Sequence, residues 1–312
     1  MKQQSSNETA YSDENLREEL NKILSQRIKE YEEKFSDITK KCSKETVRLL
    51  EQACEKGASN WLSCLPLKKH GFTLNKSEFR DSLCLRYGKD LARLPTQCPC
   101  GATYDVTHAL NCHKGGFIII RHNEIRDFEA NLMKIVCNDV QTEPTLQPLD
   151  NEVTTSLTGE QAKPDIRARG FWRPAQNAFF DVKVINPNAA SHVTSSTQKV
   201  YMKAEQGKKR SYNDRILNVE HGTFTPLIYS INGGMGPEAM RYCKLLCDKI
   251  SYKKKQKYTD VMNFYRCKLS FLIKRLALLC IRGSRTVNIN KITDINDDDF
   301  EFVCFEAKLI QF

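Results

Sequence analysis

Two aspartates and a lysine near the middle of the chain have residue types and a spacing that could support hydrolysis. They lie within Lys163–Ile185, where two short runs rich in β-forming residues are separated by turn residues, a pattern that predicts a β-hairpin. Side chains alternate between the two faces of a strand, so Asp181 and Lys183 should project from one face. Pairing of the hairpin should bring Asp165 opposite them.

Such a group suits a divalent cation. Two adjacent carboxylates repel each other, and a cation between them stabilises both. Mg²⁺ prefers oxygen ligands and keeps water and substrate phosphate in its shell, and Mn²⁺ is the alternative ion. A lysine at the metal could orient or deprotonate water and offset charge on a phosphate. The competing interpretation is an exposed hairpin with solvated charges, because so short a motif also arises by chance.

A second group of residues has the composition of a zinc site. Cys98, Cys100, His108 and Cys112 supply three thiolates and one imidazole within a short segment. Four protein ligands close a tetrahedral zinc site, so the predicted role is structural. His113 is an alternative ligand, and the single residue between the first two cysteines is a shorter spacer than zinc sites commonly have. The competing interpretation is a set of buried free cysteines.

The elements before the hairpin could add ligands. A helix is predicted to begin near Arg121, after a Gly-Gly break, and four residues could face the metal or a phosphate: Arg121, His122, Glu124 and Glu129. The competing interpretation is that each is solvated. A first strand is predicted over Val140–Glu143, with Glu143 at its end as another candidate metal ligand. Arg121 and His122 are therefore predicted nucleic-acid contacts, and Glu129 and Glu143 predicted metal ligands.

A basic helix is predicted to follow the hairpin. A serine or threonine at 195–197 can cap it, and Lys199 and Lys203, four residues apart, share one face that suits a phosphate backbone. The alternative is a solvated charge run. A strand over Thr225–Ile231 and a helix from Pro237 complete the predicted core.

Composition narrows the classes of partner and compartment. The 312 residues include 48 Lys or Arg and 38 Asp or Glu, and the formal net charge of +10 indicates a polyanionic partner. Thirteen cysteines without a recognisable secretory signal favour a reducing compartment with thiols or metal sites. No apolar run approaches the roughly 18 residues that a membrane span needs. We therefore expect a nuclear or cytoplasmic protein with no membrane partner.

The pattern along the chain predicts six segments. They are a disordered start (1–12), a helical unit (13–95), a zinc knuckle (96–115), a mixed α/β core (116–240), a basic helical extension (241–285) and a tail without an assigned role (286–312).

The predicted order of helix, strand, hairpin, basic helix and strand, with Pro-Asp and Asp-Val-Lys on the hairpin, resembles the PD-(D/E)XK restriction-endonuclease-like fold. The Cys-Cys-His-Cys knuckle, Arg121-His122-Asn123, Pro164-Asp165 and Asp181-Val182-Lys183 together resemble the carboxy-terminal endonuclease region of non-LTR retrotransposons, over about residues 95–240 and more loosely to about 283. The resemblance implies that Asp165 and Asp181 hold the metal, that Lys183 assists and that the knuckle helps grip DNA. In that family the region follows a reverse transcriptase, and this sequence contains no polymerase segment.

The expected function is metal-dependent hydrolysis of a DNA phosphodiester, with nicking as the expected outcome and RNA as a second nucleic-acid partner. Two alternatives from other classes stay open. One is a catalytically silent nucleic-acid-binding module on the same scaffold. The other is a zinc-stabilised protein-interaction factor, for which DNA affinity would show little dependence on salt.

Overall fold

A four-stranded mixed sheet organises the region that contains the predicted hairpin. The computed structural model describes residues 4–147 and 163–283. Its strands are β1 (Asn138–Thr142), β2 (Ile166–Arg169), β3 (Asn177–Ile185) and β4 (Thr223–Ser230), in the order β1-β2-β3-β4. The first three strands pair antiparallel and β4 runs parallel to β3. The protein is therefore of the mixed α/β class, as predicted.

Helices lie in every segment for which they were predicted, and a further short helix lies within the segment predicted to be the zinc knuckle. The helices are α1 (Gln4–Thr39), α2 (Lys44–Cys54), α3 (Asn60–Ser63), α4 (Lys76–Tyr87), α5 (Val106–Asn111), α6 (Phe117–Val136), α7 (Thr197–Asn218), α8 (Pro237–Lys254) and α9 (Tyr258–Arg282), with a single 3-10 turn at Lys68–His70.

The hairpin prediction is confirmed. Ile166 of β2 lies opposite Phe180 of β3, and Arg169 lies opposite Asn177. Strand β3 is buried on both faces over most of its length, as expected of a central strand with a nearly continuous apolar run.

Helices cover both faces of the sheet. On one face, Phe180, Val182 and Leu227 belong to the main core, together with apolar side chains of α6, α8 and α9. On the other face, α7 packs Ile216 against Phe179 and Val200 against Ile185. Because neighbouring residues of β3 alternate between these faces, Asp181 lies on the α7 side.

Helix α7 is the crossover between the parallel strands β3 and β4. Its N-cap is Ser196, whose hydroxyl accepts a hydrogen bond from the Lys199 N–H, so one of the three predicted caps is used. Strand β4 is an edge strand, which explains how it accommodates Pro226, the partner of Asp181 in the ladder.

The chain divides into two compact units between Leu50 and Glu51. In the first unit α1 already begins at Gln4, within the segment predicted to be disordered, and residues 1–3 lie outside the described part. The apolar residues that recur along α1, among them Leu16, Leu20 and Leu24, are exposed. In the second unit, α3 and α4 join the sheet and its helices.

The predicted basic extension is part of the core. Helix α9 buries residues on almost every side, including Leu269, Leu272 and Leu276, as a helix with apolar residues all round must. The tail at 286–312 lies outside the described residues. Within residues 4–147 and 163–283, none of the helices has the length and apolar character that crossing a membrane requires.

Candidate functional site

Two buried carboxylates lie at one end of the hairpin. The ladder of β2 and β3 pairs Ile166 with Phe180, and Asp165 directly precedes Ile166 while Asp181 directly follows Phe180. The two aspartates are therefore neighbours at this end of the hairpin. Asp165 is 7% exposed and Asp181 is 2% exposed. The structure thus brings together the two aspartates that the sequence pattern selected.

Asp165 is held by two donors. The backbone N–H of Val182 donates to its Oδ2 at 2.5 Å, and Nε2 of His122 lies 2.8 Å from its Oδ1. His122 projects from α6, and its side chain is about one-third exposed (34%). The predicted phosphate contact at His122 therefore lies directly beside the first carboxylate.

Asp181 is paired with a residue that the sequence pattern did not select. Nζ of Lys208, on α7, lies 2.7 Å from Asp181 Oδ2. Burial, and then the negative charge of Asp165, raise the pKa of the Asp181 carboxyl, whereas Lys208 opposes that rise. Desolvation and repulsion prevail, so additional positive charge at this pair would stabilise its ionised form.

Tyr212 and Lys208 act from one face of α7. They are four residues apart, and Nζ of Lys208 lies 5.7 Å from the centre of the Tyr212 ring. The Tyr212 hydroxyl donates to the carbonyl oxygen of Lys163 at 3.2 Å. Burial and the charge of Asp181 raise the pKa of Tyr212, so its hydroxyl stays protonated and available as a donor.

Lys183 lies on the same strand but is exposed. Among the described residues, no hydrogen bond or ion pair joins it to either aspartate. The cation beside the carboxylates is thus Lys208. Lys183 does lie on the predicted face of β3, but the lysine that contacts a carboxylate is Lys208 on α7.

Glu143 lies next to the pair without joining it. Its backbone N–H donates to the carbonyl oxygen of Asp165 at 2.8 Å, while its carboxylate forms an ion pair with Arg126. In the described part of the chain, Asp165 and Asp181 form no group with a third His, Cys, Asp or Glu as tight as the cysteine cluster. The structure therefore does not place Glu143 among the ligands.

The position of Glu129 contradicts its prediction as a metal ligand. Its carboxylate is fully buried in the main core, on the sheet face away from Asp181, and it accepts hydrogen bonds from the hydroxyls of Tyr229, Tyr265 and Tyr242 at 2.8, 2.8 and 2.9 Å. Burial raises the pKa of Glu129 to about 7 even though the three donors lower it. This position excludes Glu129 from the carboxylate pair.

The position of Arg121 contradicts its prediction as a nucleic-acid contact. It is buried, and Nη1 donates to the carbonyl oxygen of Leu110 at 3.0 Å and lies 3.8 Å from Sγ of Cys280. Its guanidinium fastens α5 and α9 to α6 and does not face a nucleic acid. Lys199 and Lys203, by contrast, are exposed on α7 as predicted.

The four predicted zinc ligands converge. One potential ligand atom from each of Cys98, Cys100, His108 and Cys112 lies within 4.8 Å of the other three. The Cys98 and Cys112 sulfurs are 3.8 Å apart, and Cys100 Sγ lies 3.3 Å from His108 Nε2. Tetrahedral zinc with ordinary bond lengths places two sulfurs ~3.8 Å apart and a sulfur and a nitrogen ~3.6 Å apart. The arrangement therefore fits a metal ion such as zinc.

Local structure explains this convergence. The carbonyl of Cys98 accepts from the Gly101 N–H, and Gly101 has φ +92°, a conformation that favours glycine. Asp105 caps α5 and thereby orients His108. A backbone hydrogen bond at Ala102 is the main cause that lowers the pKa of the Cys100 thiol to about 7, which favours the thiolate that a metal needs. His113, the alternative ligand, is exposed and outside the cluster.

Sequence reasoning missed Lys208 and Tyr212 as neighbours of the carboxylates. Their spacing of four residues and the run Lys208-Lys209-Arg210 were visible, but neither indicates which face of α7 meets the sheet. Comparison with known proteins gave no match, either to a protein-family model or to a curated protein.

Proposed function

We propose that the protein is a metal-dependent DNA endonuclease with a PD-(D/E)XK core, hydrolysing phosphodiesters by nicking one strand. The observation that carries the proposal is the Asp165–Asp181 pair, two buried aspartates of which one directly precedes β2 and the other lies on its partner strand β3. Structural charges this close and this poorly solvated are costly, so such a pair in a fold is a candidate functional site.

The order of elements supports this proposal. Helix α6, strand β1, the β2–β3 hairpin, basic helix α7 and strand β4 follow one another as the restriction-endonuclease-like resemblance implies. Fold alone does not establish an activity, so the argument depends on the residues at the pair.

The residues fit a hard divalent cation. The raised pKa of Asp181, caused by burial and by Asp165, means that positive charge is favourable here, and a cation held by one or two carboxylates plus water and phosphate is the usual magnesium arrangement. Asp165 and Asp181 would hold Mg²⁺ or Mn²⁺, which would supply activation of water and charge stabilisation on the phosphate.

The side chains around the carboxylate pair would have distinct roles. His122 and the Val182 N–H fix the orientation of Asp165, so that its carboxylate is preorganised. Lys208 can exchange its contact with Asp181 for a phosphate oxygen as negative charge develops there. The Tyr212 ring lies beside the Lys208 ammonium, and its hydroxyl is anchored on the Lys163 carbonyl.

DNA would be held by charge. Lys199 and Lys203 are exposed on the helix that also carries Lys208, so a backbone bound along α7 would lead to the carboxylates. The cysteine cluster would bind structural zinc and fix the segment that joins α4 to α6.

Plasmid nicking tests the proposal. Wild type should convert supercoiled plasmid to open circle in Mg²⁺ or Mn²⁺ and fail to do so in EDTA, while Asp181→Asn should lose nicking. Asp214→Asn is the matched control, because Asp214 is an exposed aspartate on α7. Wild type that binds DNA with steep salt dependence but never nicks it would instead be a silent binding module. Absence of both properties would favour the protein-interaction factor.

A further inference from the structure

A buried lysine of α9 forms no ion pair with a carboxylate of the described residues. Lys274 of α9 is 3% exposed, and its Nζ lies 5.8 Å from the centre of the Trp61 ring. Among the described residues it has neither an ion-pair partner nor a hydrogen-bond acceptor. Burial, and secondarily the charge of Arg86, lower the pKa of Lys274 to about 8. A second cation therefore raises the cost of burying this ammonium.

Further donors without partners lie in the same region. Nε1 of Trp61, which is 3% exposed, has no acceptor, and the same holds for Nε of Arg86. The guanidinium of Arg86 is otherwise anchored, because its Nη1 donates to Ser59 Oγ at 2.5 Å. Arg86 is thus fixed in place while one of its donors stays open.

Three helices bring these groups together. The backbone N–H of Trp61 on α3 donates at 3.2 Å to Oγ of Ser270, one turn before Lys274 on α9. The Trp61 ring meets Phe79 of α4 edge to face, with centroids 5.7 Å apart. Phe79, Ser82 and Arg86 share one face of α4, and the hydroxyl of Ser82 is also buried without a partner.

Unpaired donors of Trp61 and Arg86 beside the buried Lys274 favour an acceptor in this region. A buried charge without a counter-charge is among the most costly features of a fold, and water neutralises no charge. An oxyanion has both the charge and several acceptor oxygens, and guanidinium and ammonium groups are the usual protein partners of phosphate.

We propose that the interior between α3, α4 and α9 binds a phosphate-type oxyanion, with Lys274, Arg86 and Nε1 of Trp61 as its donors. The site shares no residue with the carboxylate pair or the cysteine cluster. It does not rest on the proposed nuclease activity. The phosphate could be the free ion or the terminal phosphate of a nucleic-acid strand.

Thermal unfolding of the full chain tests the site. In sodium phosphate, compared with sodium chloride of equal ionic strength, the wild-type midpoint should rise with the logarithm of phosphate concentration. Lys274→Met should lower phosphate affinity at least about tenfold and should raise the midpoint in chloride, because methionine fills similar volume without charge. Lys274→Arg should retain the phosphate response. Lys244→Met is the control, since Lys244 is exposed on α8.

A phosphate response that is identical in Lys274→Met would overturn the proposal, and so would a wild type that does not respond to phosphate. A lower chloride midpoint in Lys274→Met would show that the ammonium is a structural brace, which also contradicts it. Oligonucleotides with and without a 5′-phosphate identify the source: a preference for the phosphorylated strand that Lys274→Met removes assigns a strand terminus, and equal affinities assign the free ion.

Discussion

The ammonium of Lys208 on α7 lies 2.7 Å from the nearly buried carboxylate of Asp181 on β3. This contact links the crossover helix to the hairpin at the position where two carboxylates repel each other. Lys183, the lysine that the sequence pattern selected, is exposed on the strand instead. Substitution of these two lysines should therefore affect the nicking rate differently.

Lys208→Met should slow single-turnover nicking by roughly 10²- to 10⁴-fold if Lys208 moves a proton or stabilises phosphate charge. Lys183→Met should change the rate only a few-fold, because no contact joins it to the carboxylates. Both variants should bind plasmid with near wild-type affinity, which a filter-binding assay checks. If Lys183→Met were the slow variant and Lys208→Met the nearly normal one, Lys183 would be the catalytic lysine.

The cysteine cluster should carry one zinc ion per chain, measurable by inductively coupled plasma mass spectrometry. Cys100→Ser should lose that zinc and unfold locally, because binding and folding of such a segment are coupled. Cys54→Ser removes an exposed cysteine outside the cluster and should keep the zinc. Full zinc occupancy in a variant that lacks both Cys98 and Cys100 would disprove the assignment.

The exposed lysines of α7 should contact DNA phosphates rather than bases. Replacing Lys199 and Lys203 with alanine should weaken binding to all sequences alike and reduce the slope of log affinity against log salt by about one to two. Lys22 and Lys29, exposed on α1, give a control of equal charge change. An equal reduction in both double variants would mean that the effect is one of net charge only.

Glu129 should make stability depend on pH. Its folded pKa of about 7 lies above the ordinary 4.5, so between these values the unfolded chain has lost a proton that the folded chain keeps. The free energy of unfolding should therefore fall as pH rises through this window, by up to about 3 kcal/mol, and stay low above it. Glu129→Gln should remove this dependence.

Urea unfolding at pH 5 and pH 8 measures the effect. The stability of Glu129→Gln relative to wild type should be greater at pH 8, whereas Glu51→Gln, at an exposed position of α2, should leave the difference unchanged. If Glu129→Gln kept the wild-type pH dependence, another group would be responsible.

Local patterns were sufficient for the hairpin and the cysteine cluster. Alternation placed Asp181 on one face of β3, and the antiparallel partner brought Asp165 across, because both relations depend on nearby sequence only. The zinc ligands likewise come from one short segment, in which a glycine turn and the cap of α5 set the geometry.

The remaining features of the site depend on tertiary contacts, which the local sequence pattern does not specify. The position of Lys208 depends on how α7 packs across the sheet, which helical periodicity does not specify. Arg121 and Glu129 were predicted to contact a phosphate and the metal, yet they fall on the same stripe of α6 as the buried Ile125 and Leu132. That spacing was a usable signal of burial, but the three tyrosines around Glu129 come from β4, α8 and α9.

The central claim is that Asp165 and Asp181 together hold the catalytic metal, and binding of Mn²⁺ followed by electron paramagnetic resonance tests it most directly. We predict one Mn²⁺ per zinc-loaded chain that Mg²⁺ displaces, with affinity reduced at least about tenfold in Asp165→Asn and in Asp181→Asn and unchanged in Asp214→Asn. Nicking should decline in parallel with occupancy. Wild-type Mn²⁺ affinity in Asp181→Asn, with nicking intact, would contradict the account.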